Sequence, residues 1–245
     1  MKRALLIGLT VLMAVACKKV TIEERIDSIS AYFSQHENPY VERLEQLADG
    51  QRIDYLTYTL LKDLRAREAW ILDEGENESL VAAFPSRKAA EGQLSAITVS
   101  LDDPAACAAA LHLIKACKDL KIKSKNNLRV LFYAPAPDSA GKSGLVSFRR
   151  DLRDAGEIIS LDIHLTSLDS LPPHTFVIEE NPGFVERFLE VIPPYFKPLG
   201  EYSFIKGTYP NPDWPLNTAT CRYNLDAEDL QNETAAVTIL SFLLN

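Results

Sequence analysis

The chain has 245 residues, of which 47% are hydrophobic and 24% are charged, and its formal net charge is −8. This length and hydrophobic fraction fit one α/β domain, or two small ones, with a substantial core. An acidic chain without concentrated Lys and Arg neutralises phosphates poorly, so we expect no nucleic-acid partner.

The first residues have the pattern of an export signal. Lys2 and Arg3 precede an uncharged run, residues 4–16, which is shorter than the roughly 20 apolar residues of a transmembrane helix. Small residues lead directly into Cys17, and this ending resembles the bacterial lipobox, whose cysteine is lipidated and becomes the first residue of the mature protein. We predict a signal peptide over residues 1–16 and a lipid anchor at Cys17. An ordinary cleaved signal, in which Cys17 has no such role, is the alternative.

The export signal also predicts how the rest of the chain is organised. Residues 17–21 would form a lipid-anchored tether, and residues 22–245 a single domain in the cell envelope, with the outer membrane as the expected location. Lys18 and Lys19 follow the anchor, where anionic lipid headgroups attract positive charge. The membrane is therefore the first expected partner, and a peptide or protein ligand is the second.

Three helices are predicted after the tether. Apolar residues recur at helical spacing from Thr21 to the breaker Asn38-Pro39, then from Val41 to Asp49-Gly50, and again from Ile53 to Leu64. These helices form a preface to the rest of the domain.

From residue 69 onward, short apolar strands alternate with helices. We predict strands at 69–72, 80–84, 96–101, 128–134, 157–164 and 174–179, and helices at 104–120, 143–155, 182–192 and 226–244. The first two strands form a hairpin. Residues 193–218 hold many of the prolines and are predicted to be an irregular loop.

This order of elements predicts a three-layer α/β fold, in which a mostly parallel, mixed sheet lies between helices. Ligands of such sheets bind at the carboxyl ends of the strands. The candidate positions are therefore Asp102 and Asp103, residues 135–139, and residues 162–164.

In order and spacing, these segments resemble the zinc exopeptidase family that includes aminopeptidase Y, bacterial leucyl aminopeptidase and glutaminyl cyclase. Leu128–Tyr133 is similar to the strand that leads into the family's Glu-Glu-x-Gly-Leu-x-Gly motif, and Asp138–Gly144 keeps both glycines of that motif. Ile159–Ile163 is similar to the strand that carries a ligand Asp. Asn217-Thr218, followed by the Leu-Asp-x-Glu-x-Leu pattern at 225–230, is similar to the family's ending.

The resemblance covers roughly residues 50–245 and implies a fold built around two zinc ions that share a bridging Asp. Two ligand positions keep a carboxylate: Asp102, or alternatively Asp103, stands for the bridging Asp, and Asp162 for the later ligand Asp. The catalytic Glu corresponds to Asp138, whose side chain is one methylene shorter.

Three other ligand positions are substituted. In the resemblance, Ser139 replaces a Glu ligand, Asn217 replaces the final His, and Ser100 replaces the first His. Zinc catalysis normally needs three protein ligands and an open position for water. Two carboxylates alone suit Mg²⁺ or Ca²⁺ better and hold them weakly. We therefore expect a degenerate member of the family, without a bound cofactor.

Other interpretations stay open. Asp102 and Asp103 precede Pro104, as in an ordinary helix cap, and Asp138 and Ser139 are ordinary turn residues. His164 shares a strand face with Asp162. Hence we weigh three hypotheses: a non-catalytic binding or assembly component; an active metallo-aminopeptidase or glutaminyl cyclase with zinc in a site rebuilt from Asp102, Asp162 and His164; and a binding lipoprotein with an unrelated α/β fold.

Overall fold

The computed structural model describes residues 22–73, 78–87, 89, 92–122, 124, 126–134, 144–166, 175–179, 182–191, 201–207 and 220–224. The predictions for the export signal, the anchor at Cys17 and the last helix lie outside these ranges, as do three candidate site residues: Asp138, Ser139 and Asn217. No helix within the ranges is both long enough and apolar enough to cross a membrane.

The three N-terminal helices are present, with one boundary changed. They are α1 (Ile22–Gln35), α2 (Val41–Gln46) and α3 (Asp49–Tyr58), which continues as a π-helical turn over Thr59–Asp63. Asp49-Gly50 was predicted to end the second helix but begins α3. The chain leaves the helical conformation earlier, at the buried Leu47, whose backbone is extended (φ −90°, ψ 135°).

In the described part of the chain, the remaining elements form one eight-stranded sheet and three further helices. The strands are β1 (Glu68–Asp73), β2 (Glu78–Phe84), β3 (Gln93–Ser100), β4 (Asn127–Tyr133), β5 (Ile158–Thr166), β6 (Thr175–Glu179), β7 (Ser203–Gly207) and β8 (Thr220–Asn224). The helices are α4 (Pro104–Asp119), α5 (Gly144–Asp154) and α6 (Pro182–Val191). The strand order is β1-β2-β4-β3-β5-β8-β6-β7.

The sheet is mixed, as predicted. The strands β4, β3, β5 and β8 are parallel to their neighbours in that order, and β6 is parallel to β7. The pairs β1–β2, β2–β4 and β6–β8 are antiparallel. The predicted hairpin is thus the pair β1–β2.

Two strands correct the sequence interpretation. β7 lies inside residues 193–218, which were predicted to be a loop, and β8 lies in a segment for which no element was predicted. β8 is inserted between β5 and β6, out of chain order. Both strands have only five residues, and their partners come from elsewhere in the chain, so local pattern alone could not identify them.

The two faces of the sheet are covered by different helices. Ile97, Val99, Leu161 and Ile163 belong to a large apolar core with α1 to α4 and α6, which makes this the α4 face. Leu94, Ala96 and Ile159 pack with Phe148 and Leu152 of α5, which makes the opposite side the α5 face. Because side chains alternate along a strand, Thr98, Asp162 and His164 belong to the α5 face.

Candidate functional site

Asp162 lies inside β5, four residues before its end at Thr166. Its side chain is completely buried. In the sheet, Asp162 is level with Ala96 of β3 on one side and Thr220 of β8 on the other. A carboxylate at this depth needs compensating charge and hydrogen bonds, because burying an isolated charge is very costly.

Arg149 of α5 supplies the compensating charge. Its Nη2 donates to Oδ2 of Asp162 at 2.6 Å, and the side chains are 4% and 0% exposed. α5 packs on the sheet through its neighbours Phe148 and Leu152, which brings the guanidinium to the level of β5. Removing one partner of such a buried pair costs about 3–5 kcal/mol, because the other charge is left uncompensated.

Thr98 of β3 forms a hydrogen bond with the other carboxylate oxygen of Asp162 and also contacts His164. Its hydroxyl donates to Oδ1 of Asp162 at 2.8 Å, and its Oγ1 lies 3.0 Å from Nδ1 of His164. A hydroxyl has one hydrogen. Because that hydrogen points to the carboxylate, Nδ1 of His164 must be the donor to Thr98. The four residues Thr98, Arg149, Asp162 and His164 are called the Arg149 cluster below.

Tyr133, at the end of β4, borders this cluster. Its ring stacks on the ring of His164, with centroids 5.9 Å apart and an interplanar angle of 27°. The chain then passes Ala134, whose amide donates to the buried Ser79 Oγ at 3.0 Å and whose carbonyl accepts from Gly144 at 3.3 Å. These contacts hold the start of α5 against β2 and β4.

The carboxyl end of β3 has a structural role. Asp103 is buried, and its Oδ1 accepts from the amide of Ala106 at 2.9 Å, with Pro104 in the first turn of α4. The predicted helix cap is therefore confirmed for Asp103. Asp102 is exposed, and its amide donates to Oγ of Ser100 at 3.3 Å.

Arg52 of α3 reinforces the same strand end and was missed by the sequence analysis. Its side chain is only 6% exposed. It donates through Nη1 to the carbonyl of Leu101 and through Nη2 to the carbonyl of Leu47, the latter at 3.1 Å. This arginine ties the α2–α3 junction to the end of β3. A buried arginine has no local sequence signal, because its partners are backbone carbonyls.

An open groove lies on the outer side of this junction. It has a volume of about 510 Å³, which falls within the range of about 300–1,000 Å³ for ligand pockets. Its lining combines opposite charges, two amides, one aliphatic and one aromatic side chain: Arg43, Gln46, Leu47, Gln51, Asp54 and Tyr55.

The two candidate carboxylates, Asp102 and Asp162, lie at different positions along the direction of the strands. Asp162 is level with Ala96, which precedes Ser100 by four strand residues, or about 13 Å. Asp102 follows Ser100 in the turn at the edge of the sheet. The residue brought to Asp162 from β3 is Thr98, and not Ser100, to which the sequence interpretation gave the first His position. Within the described ranges, no three His, Cys, Asp or Glu side chains come together as a metal site.

Zinc, which the family resemblance of the sequence implies, does not fit the side chains described at Asp162. One carboxylate oxygen is bonded to Arg149 and the other to Thr98. Nδ1 of His164 faces the hydroxyl of Thr98, at 3.0 Å. A zinc ligand must instead present a lone pair to the ion.

Several solved structures, among them an aminopeptidase and a proposed exopeptidase, have a similar fold. LapB from Legionella pneumophila has a TM-score of 0.61 at 11% identity, over 94% of this chain and 77% of LapB. The Legionella pneumophila LapA aminopeptidase has a TM-score of 0.53 at 10% identity, over 94% of this chain and 71% of LapA. A proposed Zn-dependent exopeptidase from Bacteroides vulgatus has a TM-score of 0.57 at 12% identity, over 87% of this chain and 96% of that protein. Neither a protein-family model nor a curated protein sequence matches the chain.

At these identities the likeness establishes the fold and not the activity. The three-layer, zinc-exopeptidase-like α/β fold that the resemblance implied is confirmed. The hypothesis of an unrelated α/β fold is wrong.

Proposed function

We propose that this chain is a lipoprotein of the cell envelope, anchored through Cys17, whose zinc-exopeptidase-like domain binds a peptide or protein without hydrolysing it. One observation carries the proposal of a non-catalytic domain. Asp162, the later ligand Asp of the family resemblance, is completely buried and bonded to Arg149 and Thr98. The negative charge of this carboxylate is therefore already balanced by the guanidinium of Arg149.

The chemistry of zinc peptidases explains why this observation matters. A catalytic zinc lowers the pKa of a bound water and needs about three protein ligands to stay in place. Using Asp162 as a ligand would require breaking the ion pair with Arg149, which costs about 3–5 kcal/mol before any metal is bound. At the end of β3, the carboxylate of Asp103 already accepts a hydrogen bond from Ala106 and caps α4.

The groove beside α2 and α3 is the place where we propose that the ligand binds. Arg43 and Asp54 offer a positive and a negative group, and the amides of Gln46 and Gln51 can donate to and accept from a peptide backbone. This mixture suits a short peptide better than a nucleic acid, which the net charge of −8 also disfavours.

Peptide binding is tested by calorimetric titration of the purified protein with a set of short unmodified peptides. We expect saturable binding that weakens at least tenfold in Asp54→Asn and in Arg43→Gln. Asp27→Asn, an exposed change on α1 that is outside the groove lining, is the matched control and should bind normally. Equal binding by all three variants would exclude the groove.

Catalysis is tested by incubating the protein with aminoacyl-p-nitroanilides, with and without added Zn²⁺ or Co²⁺. We expect no release of p-nitroaniline above the background of the metal alone. Zinc-dependent turnover that Asp162→Ala abolishes would overturn the non-catalytic proposal.

One observation favours the rival, an active metallo-aminopeptidase or glutaminyl cyclase with a rebuilt site. Asp162 and His164 lie on one face of β5 and are linked through Thr98. The same incubations decide between the two functions when a peptide with an N-terminal glutamine is added as a substrate and the release of ammonia is measured for it. Activity that is unchanged in Asp162→Ala would exclude a rebuilt metal site that uses Asp162.

The anchor is tested by growing cells that express the chain with an alkyne-labelled fatty acid. We expect the label to enter the protein and to be lost in Cys17→Ala, while Cys117→Ala, the matched control, remains labelled. Fractionation then tests the proposed location in the outer membrane. Normal labelling of Cys17→Ala would refute the anchor.

A further inference from the structure

Two basic residues have a backbone conformation that normally favours glycine. Within the described ranges, Arg65 and Lys121 are the residues other than glycine with a positive φ, at 60° and 55°. This left-handed region brings the Cβ of other residues too close to the following carbonyl oxygen, so helices that end in this way usually have Gly there. The local fold would therefore be at least as well served by Gly at both positions.

Both residues follow the end of a helix. After Lys121, the amide of Ile122 donates back to a carbonyl of α4 at 2.8 Å. After Arg65, the amide of Ala66 donates back to a carbonyl of the π-helical turn, also at 2.8 Å. Ile122 and Ala66 pack in the large apolar core, and the left-handed residue before each of them is exposed.

A hydrogen bond joins these two helix ends. Nζ of Lys118, in the last turn of α4, donates to the carbonyl of Asp63, the last residue of the π-helical turn, at 2.6 Å. The two residues are 55 positions apart in the chain, so the sequence does not show the cluster. The basic corner is defined as the four exposed cations of this junction: Lys62, Arg65, Lys118 and Lys121.

The basic corner is positive in a chain whose net charge is −8. Within the described ranges, none of its four cations forms an ion pair with a carboxylate. The neighbouring Asp119 is paired with Lys115 at 2.5 Å and accepts from the hydroxyl of Tyr32 at 2.9 Å. Asp63 is the acidic residue within the corner, so four cations and one carboxylate leave three positive charges in excess.

We propose that the basic corner contacts the anionic headgroups of the membrane that holds the lipid anchor, and so sets the orientation of the domain on the bilayer. The inference rests on the anchor at Cys17, which belongs to the proposed function. Each Lys or Arg near an anionic surface strengthens the attraction about fivefold, so three excess charges strengthen it by on the order of 10²-fold.

The anchor would keep the corner within reach of the bilayer. Tyr32 of α1 contacts Asp119 beside the corner, and α1 begins at Ile22, about 15 Å from Tyr32 along the helix axis. The expected tether, residues 17–21, spans at most about 18 Å. An anchored domain therefore meets its own membrane at a high effective concentration, an advantage that an acidic protein in solution does not have.

A structural role explains two of the four cations. Lys62 and Lys118 lie in the last turns of their helices, where the helix dipole favours a cation. Arg65 and Lys121 lie beyond the helix ends, in a conformation that suits Gly. Arg65→Gly and Lys121→Gly should therefore remove charge without lowering the urea midpoint, which separates membrane contact from stability.

The test places the acylated protein in lipid nanodiscs of phosphatidylcholine alone, or of equal parts of phosphatidylcholine and phosphatidylglycerol. Mass spectrometry measures how fast an amine-reactive reagent modifies each lysine. We expect Lys62 and Lys118 to react on the order of tenfold more slowly in the anionic discs, and to regain the neutral rate at about 1 M salt. Lys206 of β7 is exposed and lies at the opposite edge of the sheet from β1, so its rate should be equal in both discs.

Charge variants show which cations make the contact. Arg65→Gly/Lys121→Gly should weaken it on the order of 25-fold, about fivefold for each cation, while the urea midpoint does not fall. Lys206→Gln, the matched control, also removes an exposed cation and should leave the protection of Lys62 unchanged. Protection of Lys62 by poly-glutamate in solution, without protection in the anionic discs, would assign the corner to an acidic protein and overturn the inference.

Failure of this inference and failure of the proposed anchor have different signatures. An acylated protein whose Lys62 and Lys118 react equally in both discs keeps the anchor and overturns the inference. If the protein has no acyl group, the anchor is refuted. The inference then requires salt-dependent sedimentation with vesicles of the anionic composition and not with neutral vesicles, and it is overturned if the protein stays in solution with both.

Discussion

Gly144, the first residue of α5, is expected to tolerate no side chain. A Cβ at this position would overlap Oγ of Ser79 and come within 2.8 Å of its Cβ and 3.3 Å of the Cβ of Tyr133. Overpacking a core typically costs about 1–3 kcal/mol. If Ser79 rotates to make room, the half-buried amide of Ala134 loses its acceptor, which adds about 0.5–1.5 kcal/mol, the net contribution of a typical hydrogen bond. We therefore expect Gly144→Ala to lower the free energy of unfolding by about 1.5–4.5 kcal/mol.

Urea unfolding followed by circular dichroism measures this loss. Ser79→Gly removes the two nearest atoms that meet the new methyl group, so the double variant Gly144→Ala/Ser79→Gly should be more stable than the sum of the two single changes predicts. Gly50→Ala is the control, because that helical glycine has open space around it and should be neutral or gain up to about 1 kcal/mol. A loss below about 0.5 kcal/mol for Gly144→Ala, which is the usual range for surface changes, or strict additivity in the double variant, would refute the reasoning.

Two other predictions concern stability. Asp103→Ala removes the cap of α4 and should cost about 0.5–2 kcal/mol in urea unfolding, whereas Asp102→Ala, an exposed change, should cost less than about 0.5 kcal/mol; equal losses would contradict the assigned roles. Burial raises the pKa of the Cys107 thiol, and burial, together with Asp63, raises that of Tyr40 to about 12. Since the unfolded chain then releases these protons first, their contribution is complete below about pH 8.5 and declines as the pH rises. The urea midpoint should fall between pH 9 and 11 in wild type and fall less in Tyr40→Phe; an unchanged slope would exclude Tyr40 as a source.

The layered architecture followed from the sequence because apolar periodicity is a local signal. The stretch 128–134 is nearly continuous in apolar residues and forms the interior strand β4. Pro104 after two aspartates marks the start of α4. Each of these features is set by neighbours within a few residues, which is the range over which sequence patterns carry information.

The sequence did not predict which side chains contact Asp162. Arg149 is separated from Asp162 by 13 positions and Thr98 from Asp162 by 64, so neither contact leaves a trace in a local pattern. The strand register also determines which side chain of β3 contacts Asp162. Because Asp162 pairs with Ala96, its neighbour on the α5 face is Thr98 and not Ser100. A shift of one residue would have turned Asp162 to the other face.

An aspartate at a ligand position is therefore weak evidence for a metal until its counter-ion is known. The backbone of β5 fixes the depth of Asp162, so the residue must be neutralised whether or not an ion is available. A metal can meet that need, and so can a guanidinium from a helix packed on the same face. Because α5 supplies Arg149, the charge of Asp162 is balanced by a side chain of the same domain, and at the end of β3 the carboxylate of Asp103 caps α4.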